Sequence, residues 1–151
     1  MTKVGFFTSP PDLKIDIVAV ATFWYQVPTL YGEFVMTLFR LFLVAVIAIV
    51  GAYTSVTIAN HGMGLYPIFF GDIAEMAWPG QFNLDFLFFL IFSGFWVAWR
   101  HEFTVAGLAL GFAAFNLGAP FLAGYLLIHS YRTKGDVAAM LLGPSRAARA
   151  R

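Results

Sequence analysis

The sequence has no cysteine and little charge: nine Lys and Arg and eight Asp and Glu in 151 residues, a charged fraction of 11%. Without cysteine there is no disulfide framework, no thiolate nucleophile and no Cys-ligated metal, and the redox compartment is left unspecified. A charged fraction so far below the roughly 25% of soluble proteins excludes an ordinary soluble enzyme. The net charge of +1 supplies no field to recruit nucleic acid, so no nucleic-acid partner is expected. Also missing are internal repeats, low-complexity tracts and lipidation motifs. The start shows no basic segment followed by a short apolar run and a small-residue cleavage site, so no cleaved signal peptide is expected. What the chain does have is apolar bulk, 60% hydrophobic and 19% aromatic, in an all-α pattern.

A bilayer core about 30 Å thick needs about 20 mostly apolar helical residues, so spans are found where charges are absent. Residues 41–60 are the clearest, rich in Leu, Val, Ile and Ala. Only 14 uncharged residues separate Asp85 from Arg100, so a second helix over 82–100 must carry Asp85 in its first turns. Residues 103–131 form a third, with a kink expected at Pro120, following Asn116 and Gly118. The fold class is therefore an all-α polytopic membrane protein in one domain. Residues 1–40 precede the three spans and residues 132–151 form a basic tail.

The N-terminal segment is harder to assign. Pro10-Pro11-Asp12 resembles a helix start. The uncharged run that follows contains Gln26, Pro28 and Gly32, which suits an interfacial or re-entrant helix, with Phe23-Trp24-Tyr25 at the headgroup boundary. A fourth full span is the alternative. With three spans, Lys and Arg divide four against five between the two sides; with four, seven against two. Either count is compatible with a basic C-terminus in the cytoplasm, and a bacterial inner membrane is the expected setting.

The link between the second and third helices is short, Arg100-His101-Glu102 and its neighbours, so these helices form an antiparallel hairpin. The start of one then lies beside the end of the other, so Asp85 is expected at about the depth of His129 and Arg132, on the membrane face that also holds His61. An acid in a membrane helix is a functional candidate because a charged, unpaired carboxylate in lipid is costly. The plain structural reading is an intramembrane ion pair between Asp85 and Arg132, or a helix-dipole contact near the N-terminus. Histidine is the other candidate: the imidazoles of His61 and His129 could ligate haem or (bacterio)chlorophyll, or could simply be hydrated at the boundary. The acids Asp72, Glu75 and Asp85 have no EF-hand spacing, and no metal site is expected.

Packing signals are plainer. Gly107, Gly111, Ala114 and Gly118 recur at i, i+4, i+7 and i+11, a strip of small residues that lets another helix approach closely. The partner is either the second helix of the same chain or another subunit. The second helix is ringed by Phe82, Phe86, Phe88, Phe89, Phe92 and Phe95, with Trp96 and Trp99 as interfacial anchors. In the tail, Asp136 to Leu142 forms a short turn before Gly143-Pro144, and Arg146, Arg149 and Arg151 suit anionic headgroups.

Asp85, the run Phe95-Trp96-Val97-Ala98-Trp99-Arg100-His101-Glu102, then Leu117-Gly118-Ala119-Pro120-Phe121-Leu122 and Tyr131-Arg132 resemble a family of small, uncharacterised three-helix membrane proteins of bacteria and plants. The resemblance covers about half the chain, from Asn83 onward. It implies the architecture and transfers no catalytic residue; the first forty residues look like an addition to that pattern.

No nucleophile–base pair, metal cluster or phosphate loop is visible. The expectation is a non-enzymatic accessory or structural subunit of a larger membrane complex of respiratory or photosynthetic type, with lipids and other integral membrane subunits as partners. Two alternatives are a haem- or chlorophyll-binding protein using His61 or His129, and a small proton or cation carrier component using Asp85.

Overall fold

The computed structural model describes the backbone of residues 17–150 and the side chains of residues 32–150. Those residues form six helices and no strand: α1 (Ile17–His61), α2 (Leu65–Ala74), α3 (Trp78–Arg100), α4 (Val105–Arg132), α5 (Val137–Leu142) and α6 (Pro144–Arg149). Three stretches are long and apolar enough to cross a membrane, Gly32–His61 within α1, Trp78–Arg100 and Val105–Arg132. The all-α polytopic reading therefore holds. The backbone is helical from Ile17 onward, so the N-terminal helix is continuous with the first span; its expected start at Pro10-Pro11-Asp12 lies outside the described residues.

Local chemistry sets the other boundaries. Trp78-Pro79 opens α3, because a proline in the first turn gives up an N–H that has no helical partner anyway. Thr104 caps α4, its Oγ1 accepting from the Gly107 N–H at 3.2 Å, and Asp136 caps α5 by accepting from the Ala139 N–H at 3.1 Å. α2 was not foreseen as an element. It packs on the start of α3, where the Asn83 amide donates to the Phe69 carbonyl and to Asp72 Oδ2.

α4 departs most from a simple span. Gly118 takes φ 59° and ψ −139°, a combination essentially confined to glycine, and Pro120 removes a ladder donor two residues later. A straight helix of 28 residues would extend about 42 Å; instead the His129 ring, near the end of α4, lies 6.2 Å from the His101 ring, which precedes its start. The expected kink is thus a reversal. Residues 105–117 descend along α3, with Gly107 against His101, Gly111 against Gly94 and Ala98, and Gly118 against Leu90 and Phe86. Residues 119–132 return to the starting end, bringing Tyr125 beside Trp96. α1 runs antiparallel to this returning limb: Met36 lies beside Gly135, Arg40 bonds Ser130, and Ile47 meets Gly124.

The small-residue strip is the α3–α4 seam within one chain. A Cβ on Gly111 would stand 2.6 Å from the Gly94 carbonyl oxygen, and Ala114 is fully buried in the core with Val97 and Tyr125. Close backbone approach of this kind supplies dispersion contacts where lipid offers no hydrophobic driving force. Gly118 has a second role, since its backbone makes the turn.

The reversal overturns two expectations about depth. His61 and His129 do not share a membrane face: His61 ends α1 far from the α3–α4 connection, whereas His129 lies beside it. Asp85 and Arg132 do not pair either. Asp85 is next to Phe86, which meets the turn at Gly118, and Arg132 stands 14 residues further along the returning limb, about 20 Å away at 1.5 Å per residue. Both expectations took the third helix to run on across the membrane beyond its kink.

Candidate functional site

The C-terminal ends of α3, α4 and α5 converge at one end of the molecule, and with them every described Lys and Arg. Helix C-termini present unpaired carbonyls and a partial negative charge, and three arginines answer three of them. Arg40 of α1 reaches the last turn of α4, its Nη2 donating to the Ser130 carbonyl at 2.8 Å and its Nε to Ser130 Oγ at 3.0 Å. Arg100 of α3 reaches α5, its Nε donating to the Met140 carbonyl at 2.7 Å and its Nη2 to that of Ala139 at 3.2 Å. Arg146 of α6 reaches back to α3, its Nη1 donating to the Trp99 carbonyl at 2.7 Å. All three guanidinium groups also lie over rings, Arg40 on Tyr131 at 4.0 Å, Arg146 on Trp99 at 4.1 Å and Arg100 on Tyr125 at 5.5 Å, a contact that favours a cation.

Arg100 is the centre of this clasp, only 5% exposed. Its Nη1 donates to Tyr125 Oη at 2.8 Å, which leaves the phenol proton for His101 Nε2, also at 2.8 Å. That direction requires a neutral His101, and burial together with the neighbouring Arg100 charge does hold its pKa below the ordinary histidine value. The Tyr125 ring in turn lies 4.2 Å from that of His129, whose Nδ1 bonds the Tyr125 carbonyl at 2.9 Å. A carbonyl only accepts, so Nδ1 carries the proton, and in the neutral ring Nε2 keeps a lone pair. The arrangement joins α3, α4 and α5 through one buried cation. Arg149 and Glu102, 3.9 Å apart and solvent-exposed, add little to it.

No protein-family model matches the chain, and no curated protein or solved structure does so either.

The opposite half of the molecule is open. α4 turns back at Gly118 and α1 makes no packed interface with α3; beyond that depth α2 packs on the start of α3, and its Tyr66 Oη donates to Asn116 Oδ1, beside the turn, at 3.2 Å. α1 packs on the returning limb with Met36, Leu43 and Ile47. Five turns of helix are 18 residues, so the same face continues as Thr54, five turns from Met36, and His61, five turns from Leu43. Every residue from Gly51 to Met63 is exposed. On α3, Asp85 stands 11 residues, about three turns, before Trp96 and shares its face; Trp96 is the residue that meets the returning limb. Asp85 therefore faces the space beneath that limb. It is exposed and, among the described residues, makes no hydrogen bond or ion pair.

Of the expected site residues, the structure joins Gly107, Gly111 and Ala114 in one seam and brings His129 to Tyr125, Arg100 and His101. It separates His61 from His129 and Asp85 from Arg132. Sequence reasoning missed Arg100, Tyr125 and Arg40 as interior groups. Arginine near a helix C-terminus is a capping signal, but which helix end each would cap depended on the reversal. Among the described residues, no three His, Cys, Asp or Glu side chains come together to hold a metal ion.

Proposed function

We propose that the chain is a non-enzymatic subunit of a larger membrane-protein assembly. The observation that carries this reading is the reversal of α4 at Gly118. The turn interrupts the helical ladder at membrane depth, and Leu117 and Ala119 on either side of it are exposed. Non-helical backbone at that depth is tolerated where other protein covers it or where it lines a water-filled cavity. The uncovered run of α1 beyond Gly51, at the same depth, favours coverage by protein. Extraction from native membranes in mild detergent tests this: the chain should migrate within a larger particle on native gels, and a lone monomer would overturn the proposal.

The same reading places the arginine-rich end, with the C-terminal tail, in the cytoplasm. Arg40, Arg100, Arg132, Lys134, Arg146 and Arg149 lie at that end, while Asp72, Glu75 and Asp85 lie towards the other, and an excess of Lys and Arg marks the cytoplasmic side. Reporter fusions at the C-terminus check it. The setting expected from the sequence, a respiratory or photosynthetic complex of a bacterial inner membrane, is tested by the composition of the purified particle. We carry the resemblance to small three-helix membrane proteins as a proposal about architecture. Its residues fall on the clasp, Arg100 and His101, and on the turn, Gly118 to Pro120.

A second reading, a ring cofactor ligated by His129, is favoured by the fixed tautomer of that ring, since a donated Nδ1–H with a free Nε2 is the arrangement of metal-ligating histidines. His61, at the other end, cannot be the second axial ligand. A visible spectrum without a Soret or Qy band would remove this reading.

A further inference from the structure

We propose that the notch beneath the α4 turn receives one transmembrane helix of a partner protein, and that this helix carries a lysine or arginine paired with Asp85. The inference rests on the subunit reading above and names the chemistry of the contact. Three observations carry it. The notch begins where the returning limb of α4 begins, on the side of α3 turned away from α2, which packs against Gly80 and Asn83, so a helix placed there would continue the line of that limb. Its α1 wall is the continuation of a face already used for packing, with Thr54 and His61 at the positions equivalent to Met36 and Leu43. Its α3 wall carries Asp85, seven residues into α3 and so about 10 Å from the start of that helix.

The occupant follows from charge. A carboxylate at that depth is costly unless paired, and the described residues do not supply the pair: every Lys and Arg among them is at the far end. The other ionisable groups near the notch are Asp72 and Glu75, which repel it, and His61. A second copy would bring a further set of carboxylates to the same face. A soluble partner would not reach a carboxylate seven residues inside a membrane-spanning helix. An apolar helix with one cation meets both requirements, the shape and the charge.

The test uses native membranes and relies on the absence of any other cysteine. Asp85→Asn and Asp85→Lys should release the chain from its native particle, while Asp85→Glu should leave most of it assembled. Circular dichroism of each purified variant should show unchanged helix content. A cysteine at Thr54 should react with a small maleimide at least tenfold more slowly in native membranes than after purification in detergent. A photoreactive side chain at the same position should join a peptide from an apolar helix of another protein, with a Lys or Arg inside the apolar stretch. Replacing that cation by Asp should restore assembly of Asp85→Lys. A native particle indifferent to Asp85→Asn and Asp85→Lys would overturn the pairing and leave the subunit reading standing, whereas a monomeric wild-type chain would overturn both. Equal labelling of Thr54→Cys in membranes and detergent would show an empty notch and overturn the docking. A cross-link to this chain's own peptide from a second copy would overturn the partner.

Discussion

The two ends of the molecule are built from the same helices and treated in opposite ways. At the arginine-rich end, three helix C-termini meet and their carbonyls accept hydrogen bonds from Arg40, Arg100 and Arg146. At the acidic end, α1 and α3 stand apart, and a carboxylate faces the gap without a partner among the described residues. Lipid offers backbone groups no donors or acceptors, so a membrane protein must satisfy its own polar groups or borrow another chain. One end does the first. The other has the features of the second.

The sharpest way to break this contrast is to unlock the closed end. Arg100→Ala removes three hydrogen-bonded contacts made by a residue that is 5% exposed, taking a charged donor from Tyr125 Oη and from the Ala139 and Met140 carbonyls. Bonds from a charged donor contribute about 1.5–3 kcal/mol each, so the loss should be about 4 kcal/mol or more, read as failure to recover folded protein or as a collapse of Tm in detergent. Arg100→Lys should recover only part of it, because an ammonium lacks the planar fork that serves three acceptors at once. An Arg100→Ala variant as stable as the parent would show that the clasp is incidental.

The turn comes next in size. Gly118→Ala places a Cβ in a backbone region that L residues avoid and 3.3 Å from Leu90 Cδ2, at a cost on the order of 1–3 kcal/mol. Pro120→Ala should cost less than about 1 kcal/mol, because the reversal is made by the glycine and proline merely lacks a donor at a helix start. Thermal unfolding of the two variants side by side checks the order; the reverse order would return the turn to Pro120.

A smaller effect should appear with pH. His101 has a pKa lowered from 6.5 in the folded state, so between that lowered value and 6.5 the unfolded chain binds more protons than the folded one. Its contribution to stability is therefore present in full above about pH 6.5 and falls as the pH drops from there through the folded-state value. His101→Gln should flatten that slope in unfolding curves recorded between pH 7.5 and 5. A slope of unchanged size would assign the titration to another group.

The fold class was legible in the sequence because charge-free runs of about 20 residues have few other uses, and Gly107, Gly111 and Ala114 announced their seam by spacing alone. The site was not legible, for one physical reason. Depth in a hairpin is read by counting residues along straight helices, and a single glycine with φ 59° reverses the count for everything after it. His129 thereby moved from the company of His61 to that of His101, and Arg132 moved away from Asp85. Gly118 and Pro120 marked a bend, but the pair does not encode its angle, which is set by the contacts Tyr125 and Ser130 make on return. Arg100 looked like a topological marker because a cation at a helix end usually faces water; only the arrival of α5 and Tyr125 buries it.

The smallest expected effect is the one that most sharpens the comparison. In the purified chain Asp85 is exposed and bonded to nothing described, so Asp85→Asn should leave Tm within the change expected of a neutral surface substitution, about 0.5 kcal/mol. Arg100→Ala, a charge removed from the closed end, should unfold the same preparation. If instead Asp85→Asn destabilises the isolated chain by more than about 1 kcal/mol, the carboxylate is held by the chain itself and the acidic end is as self-sufficient as the basic one. Stability indifferent to Asp85 in detergent, with assembly sensitive to it in the native membrane, separates a residue that serves the fold from one that serves a contact. The two measurements must be made on the same variant, because each alone is compatible with an exposed residue that does nothing.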